Sequence, residues 1–171
     1  MTIQSKHIHL AIGLGSSAVL AVALMYFQES LGLLPCPLCV LQRIAYLLIA
    51  VTALAAVTHK PRRRRPAVYE SLLLVWSAAG IALASWQVWL SYHPAVAACR
   101  LSVEEKLLNA LPLARWWPAM FEARGDCVAV EWSLFQLSMA DLSLIAFVLI
   151  AALSILGAKR KRRESARLMF S

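Results

Sequence analysis

Four apolar stretches constrain this chain more than anything else in it: Ile8–Phe27, Val40–Val57, Ala67–Leu90 and Leu142–Ala158. A helix needs roughly 20 apolar residues to cross about 30 Å of hydrocarbon, with a range near 17–25. Each stretch therefore predicts a membrane-spanning helix. The fourth is at the short end of that range, and the second carries Gln42 and Arg43 in its first turn. Composition points the same way, because 61% of the 171 residues are hydrophobic and only 15% are charged. So few charges do not cover a water-soluble ball. Soluble globular, disordered, collagen-like and small disulfide-scaffold classes are excluded. The expected fold is all-α, a four-helix transmembrane bundle. It forms one integral membrane domain over residues 1–171, with outer loops at 28–39 and 91–141.

A net charge of +8 invites a nucleic-acid reading until the charges are sorted by position. Lys6, five basic residues in the Thr58–Pro66 loop and six from Lys159 onward share one side. The other side has only Arg43, Arg100, Lys106, Arg115 and Arg124. Twelve against five places both termini in the cytoplasm by the positive-inside rule. Trp86, Trp89 and Tyr92 then form an aromatic belt at the outer interface. A juxtamembrane Lys or Arg is worth about 1 kcal/mol against anionic lipid. Membrane lipid thus accounts for Arg62–Arg65 and Lys159–Arg163, and no nucleic-acid partner is expected. Ala21-Val22-Ala23 has the small-residue pattern of a signal-peptidase site. The apolar run exceeds the roughly 7–15 residues of a signal peptide, so the first helix is expected to be retained.

All four cysteines fall on the outer side: Cys36 and Cys39 before the second helix, Cys99 and Cys127 in the large loop. In an oxidising compartment such thiols pair, and four cysteines allow three connectivities. Cys36-Pro37-Leu38-Cys39 closes too small a ring to gain much chain-entropy stabilisation. At a helix N-terminus its thiols are expected to have lowered pKa. Pro35 and Pro37 stiffen the approach. This suits exchange chemistry better than stapling. A Cys99–Cys127 bridge would close a loop worth about 3.5 kcal/mol and reads equally well as a structural staple. Zinc is not expected, since the second pair has the wrong spacing and none of His7, His9, His59 and His93 completes a ligand set.

Arg43 runs against the charge sorting. It follows Cys39 by four residues, so on a helix the two share a face about 6 Å apart along the axis. Either it snorkels to the headgroups, or its charge stabilises a Cys39 thiolate and offers donors to a bound carbonyl oxygen. In the outer loop, Val103, Leu107, Leu108 and Leu111 repeat at helical spacing before Pro112, followed by Trp116, Trp117, Met120 and Phe121. This predicts a short amphipathic helix in the interface. Ser138-Met139-Ala140-Asp141 reads as a capping box for the fourth helix.

The run Leu34-Pro35-Cys36-Pro37-Leu38-Cys39-Val40-Leu41-Gln42-Arg43 resembles the DsbB family of bacterial inner-membrane thiol oxidases. So do Tyr92-His93-Pro94 ahead of Cys99, and Gly125-Asp126-Cys127 followed by Trp132. The DsbA–DsbB–quinone system is an established case of such chemistry in the bacterial periplasm. The resemblance implies reoxidation of a periplasmic DsbA-like thioredoxin-fold protein, with electrons passed to ubiquinone or menaquinone. By that resemblance the partner's thiolate attacks Cys99, and Cys127 attacks Cys36. Cys39 then meets the quinone beside Arg43. Some members carry a histidine near the outer end of the third helix that is linked to the quinone. Here that region reads Ser85-Trp86-Gln87, and neither Trp86 nor Gln87 is assigned a role. Two alternatives stand beside this reading: a vitamin K epoxide reductase-like oxidoreductase, and a non-enzymatic scaffold with two structural disulfides.

Overall fold

The first apolar stretch winds as α1, Ile3–Ala21, and runs on as a π-helix over Val22–Ser30. The second and third form α2, Pro37–Thr58, and α3, Arg65–Ser91, and the fourth forms α7, Met139–Met169. Between α3 and α7 lie three short helical turns: α4 at 105–109, α5 over Pro112–Trp116 and α6 over Pro118–Phe121. Two-residue strands β1, Ser133–Leu134, and β2, Leu137–Ser138, pair antiparallel before α7. The computed structural model describes residues 3–59, 65–93, 105–125, 127, 133–134 and 137–169.

Four of these segments are long and apolar enough to cross a membrane: Lys6–Ser30, Pro37–Thr58, Val68–Ser91 and Met139–Lys159. The molecule is a multi-pass membrane protein with the expected four-helix fold. Each helix outruns the apolar stretch that announced it, because polar and proline-bearing turns extend it. The predicted capping box opens α7. The Asp141 carboxylate accepts from the Ser138 N–H at 2.9 Å and its hydroxyl at 2.7 Å, while the hydroxyl accepts from the Asp141 N–H at 3.3 Å. These bonds satisfy donors that a helix start otherwise leaves bare.

Helix α2 occupies the centre, with 50% of its span buried against 22–28% for the other three. Its Tyr46, Ile49 and Ala53 meet side chains from α1, α3 and α7, among them Ile12, Leu73 and Phe147. Tyr46 stacks on Phe147 with ring centroids 4.1 Å apart, and its hydroxyl donates to the Ser143 carbonyl at 3.2 Å. Gly80 of α3 makes room for that ring, since a Cβ there would fall inside it. Outward-facing Leu14, Val51, Val75 and Leu149 are exposed, as lipid-facing positions are. One acid–imidazole pair is buried between α1 and α3, with His9 Nε2 3.2 Å from Glu70 Oε1.

The expected short loop helix is present as α4, inside the Val103–Leu111 stretch, but only part of its apolar stripe is buried. α4 ends before Pro112, and α5 and α6 each start at a proline, which has no N–H to continue a preceding helix. Of the expected apolar stripe, Leu108 is buried while Leu107 is 69% exposed and Leu111 is exposed too. Val103 lies outside the described residues. Met120 and Phe121 enter the bundle core, while Trp116 and Trp117 stay on the surface.

Candidate functional site

Proline fixes the start of α2. Pro37 occupies the first helical turn, where its missing N–H costs nothing, and Cys36 becomes the N-cap with extended backbone. The Cys36 sulfur accepts from the Cys39 N–H at 3.3 Å, standing in for the usual capping oxygen. Three residues apart on one helical face, the two sulfurs lie 3.0 Å from each other. Cys36, Cys39 and Cys127 are unbridged.

The large loop comes to this pair. Cys127 packs against Cys36 in a buried cluster with Leu38 and Leu90. Burial pushes the Cys36 thiol well above the ordinary thiol range, and the neighbouring Cys127 thiol adds to that. The capping N–H and the Cys39 thiol pull the other way and lose. The lowering expected of a helix N-terminus is therefore overturned for Cys36, because only 2% of this residue meets solvent. Cys99 lies outside the described residues.

Cys36, Cys39 and Cys127 open onto a cavity of about 530 Å³. That volume falls within the roughly 300–1,000 Å³ of small-molecule sites. One wall is apolar, formed by Val19, Val22 and Phe27 of the first helix with Leu142 and Ala146 of α7. The polar end holds Gln42, Arg43 and Gln87.

Arg43 does not snorkel. It is 7% exposed and turned inward, donating from Nη1 to Gln28 Oε1 at 2.8 Å and to the Ala119 carbonyl at 3.1 Å. Nη2 donates to the Ala23 carbonyl at 3.4 Å. All three acceptors are neutral, and no carboxylate among the described residues lies within ion-pair distance of it. A cation so held favours negative charge arising on the sulfurs or on a ligand oxygen in the cavity. It also ties the π-helical segment to α6, a link its place in the sequence does not suggest.

Gln87 is the residue that sequence reasoning left unassigned. The Gln42 side-chain amide donates to Gln87 Oε1 at 2.7 Å. This turns Gln87 Nε2 toward sulfur, 3.4 Å from Cys39 and 3.7 Å from Cys36. A signal was present: two neutral amides inside apolar stretches are costly to bury unless they find partners. Trp86 instead packs beside Leu90 and stacks on Trp89, away from the cavity lining.

A donor set of this kind fits a quinone. A flat apolar ring and tail match the wall between α1 and α7, and carbonyl oxygens match the guanidinium and amide donors.

The chain is similar to known disulfide bond formation proteins. The family model described as Disulfide bond formation protein DsbB matches residues 5–157. A protein named Disulfide bond formation protein B from Nitrosospira multiformis is 48% identical over 150 residues, covering 88% of this chain and 89% of the relative. Its namesake from Nitrosomonas europaea is 47% identical over 149 residues, covering 85% and 90%. Another from Aromatoleum aromaticum is 40% identical over 156 residues, covering 89% and 93%.

Proposed function

The chain belongs to the DsbB family of disulfide bond formation proteins, and from that premise we propose that it is a quinone-dependent thiol oxidase of the bacterial inner membrane. It reoxidises a periplasmic DsbA-like dithiol protein, and both of its termini face the cytoplasm. The observation that carries this reading is the cavity, onto which Cys36, Cys39 and Cys127 open beside a guanidinium that has no carboxylate partner among the described residues.

The exchange steps conserve electrons. A thiolate of the partner attacks Cys99 of a Cys99–Cys127 disulfide, which frees Cys127 as thiolate. Cys127 attacks Cys36, the Cys36–Cys39 bond breaks, and Cys39 leaves as thiolate. The partner's second thiol displaces Cys99 and takes the disulfide with it. Burial suits Cys36 to being attacked rather than attacking, since its thiol resists ionisation. Arg43 and the Gln87 amide favour charge on Cys39. A bound quinone supplies a two-electron, two-proton acceptor, so one partner dithiol is oxidised to a disulfide per quinone reduced to quinol. A cavity with an apolar wall between two membrane-spanning helices suits an oxidant that dissolves in the bilayer. Glutathione disulfide is too weak an oxidant to drive a DsbA-type partner.

Turnover with a reduced DsbA-like protein and ubiquinone tests the reading directly. The wild-type chain reduces the quinone. Cys36→Ser, Cys39→Ser, Cys99→Ser and Cys127→Ser variants stay folded but lose partner-driven turnover. Quinone reduction that persists without Cys39 or Cys99 contradicts the scheme.

A further inference from the structure

The Ala123–Gly125 segment of the large loop lies on the backbone just ahead of Cys36. The N–H groups of Arg124 and Gly125 both donate to the Pro35 carbonyl, each at 3.0 Å. A carbonyl oxygen has two lone pairs, so one acceptor serves both donors. Gly125 sits flat against Leu34. A Cβ there would overlap the Leu34 carbonyl oxygen and lie 2.8 Å from its carbon and 3.1 Å from the Cys36 nitrogen. Its φ is not in the left-handed region, since Gly32 is the only positive-φ glycine among the described residues. The need for glycine at this position is one of contact rather than of backbone freedom.

A second clasp holds the same segment from the other side. Asn109 of α4 donates from Nδ2 to the Ala123 carbonyl at 2.8 Å and accepts from the Ala123 N–H at 2.9 Å. Ala123 is fully buried against Leu108 and Val40, the residue that follows Cys39. Cys127 is two residues beyond Gly125 and ends up packed on Cys36.

We infer that Gly125 and Asn109 are positioning residues: they dock residues 123–125 on the Leu34–Cys36 backbone and so hold the Cys127 sulfur at Cys36. Resting on the thiol-relay reading, this inference names the device that makes exchange between the two loops effectively intramolecular. The step served is attack of the Cys127 thiolate on Cys36, forming Cys36–Cys127, breaking Cys36–Cys39 and releasing the Cys39 thiolate. No oxidant enters it. Displacing reacting atoms by about 1 Å costs on the order of a hundredfold in such proximity effects, and a Cβ at Gly125 forces a shift of that order.

The test needs neither quinone nor partner protein, so its failure is separable from failure of the proposed function. In the full chain carrying Cys39→Ser and Cys99→Ser, only Cys36 and Cys127 remain. Equilibration with reduced and oxidised glutathione in detergent then gives the effective concentration of one thiol at the other. Gly125→Ala is expected to lower it by at least about tenfold. Asn109→Ala lowers it in the same direction by less. Gly15→Ala, on α1 where an added Cβ meets nothing, leaves it unchanged. Thermal unfolding followed by circular dichroism reports the fold of each variant. If Gly125→Ala does not fold, Asn109→Ala decides. An unchanged effective concentration in every folded dock variant overturns the inference. So does loss of the fold in both, which makes the segment a structural strut.

Discussion

Arg43 and Gln87 show how a few side chains make a reactive edge inside an apolar bundle. Three neutral acceptors hold the guanidinium in place without cancelling its charge. A hydrogen bond to a charged group is worth about 1.5–3 kcal/mol, and each 1.36 kcal/mol is roughly tenfold in rate. Arg43→Ala should therefore lower kcat/KM for quinone by about ten- to a hundredfold. Because Arg43 also bonds to the Ala119 carbonyl, some loss of thiol exchange should accompany it. Gln87→Leu should lower quinone-linked turnover by at least about tenfold, and Gln42→Ala, which only frees the amide to rotate, by less. Steady-state kinetics with a soluble quinone analogue checks both. Cys36 offers a pH test. Its raised pKa means less thiolate than an ordinary cysteine at pH 8, with reactivity still climbing above pH about 9. Mass spectrometry of the reduced protein alkylated across pH 7–10 should show Cys36 lagging; a profile centred in the ordinary range contradicts its burial. The cysteines and Arg43 were legible in the sequence because their chemistry is conspicuous among apolar neighbours. Gln87 was not, since its partners are 45 and 48 residues away in sequence.

At the scale of elements, the winding of the first helix places the guanidinium's partners. Ala23 and Gln28 are five residues apart, and regular α-winding at about 100° per residue would put them roughly 140° apart. The π segment over Val22–Ser30 brings both to Arg43. Hydropathy read the existence of this helix correctly but carries no information on its winding. Period found the loop helix ahead of Pro112, formed as α4, but gave no sign of the two further turns that start at prolines 112 and 118. The histidines, set aside as metal ligands, hid the His9–Glu70 pair that joins α1 to α3. Removing one member of a buried pair costs about 3–5 kcal/mol, whereas replacing both with apolar residues is often neutral. Glu70→Ala should thus lower the thermal midpoint in detergent well below that of the double His9→Leu, Glu70→Leu variant. Equal midpoints for the two would remove the pair from the account of helix packing.

For the whole molecule, the proposed topology, with both termini in the cytoplasm, rests on an even number of candidate spans and on the placement of the basic runs. In intact cells, a membrane-impermeant maleimide should reach reduced Cys99 from the periplasm, while a cysteine introduced at Ser165 should react only after the membrane is opened. The reverse pattern overturns the orientation. The architecture brings the large loop, through Cys127, and the cavity together at the sulfurs at one end of α2. Long apolar runs and cysteine placement made that plan legible. The docking of the loop on Pro35 was not, because it is made by backbone groups. The most direct measurement of the central claim is stoichiometric. Under anaerobic conditions, with the protein at catalytic level, quinol formed and partner disulfide formed are measured in the same samples. The account predicts one quinol per disulfide, with both products absent in Cys39→Ser. Partner disulfide accumulating without matching quinol would contradict it.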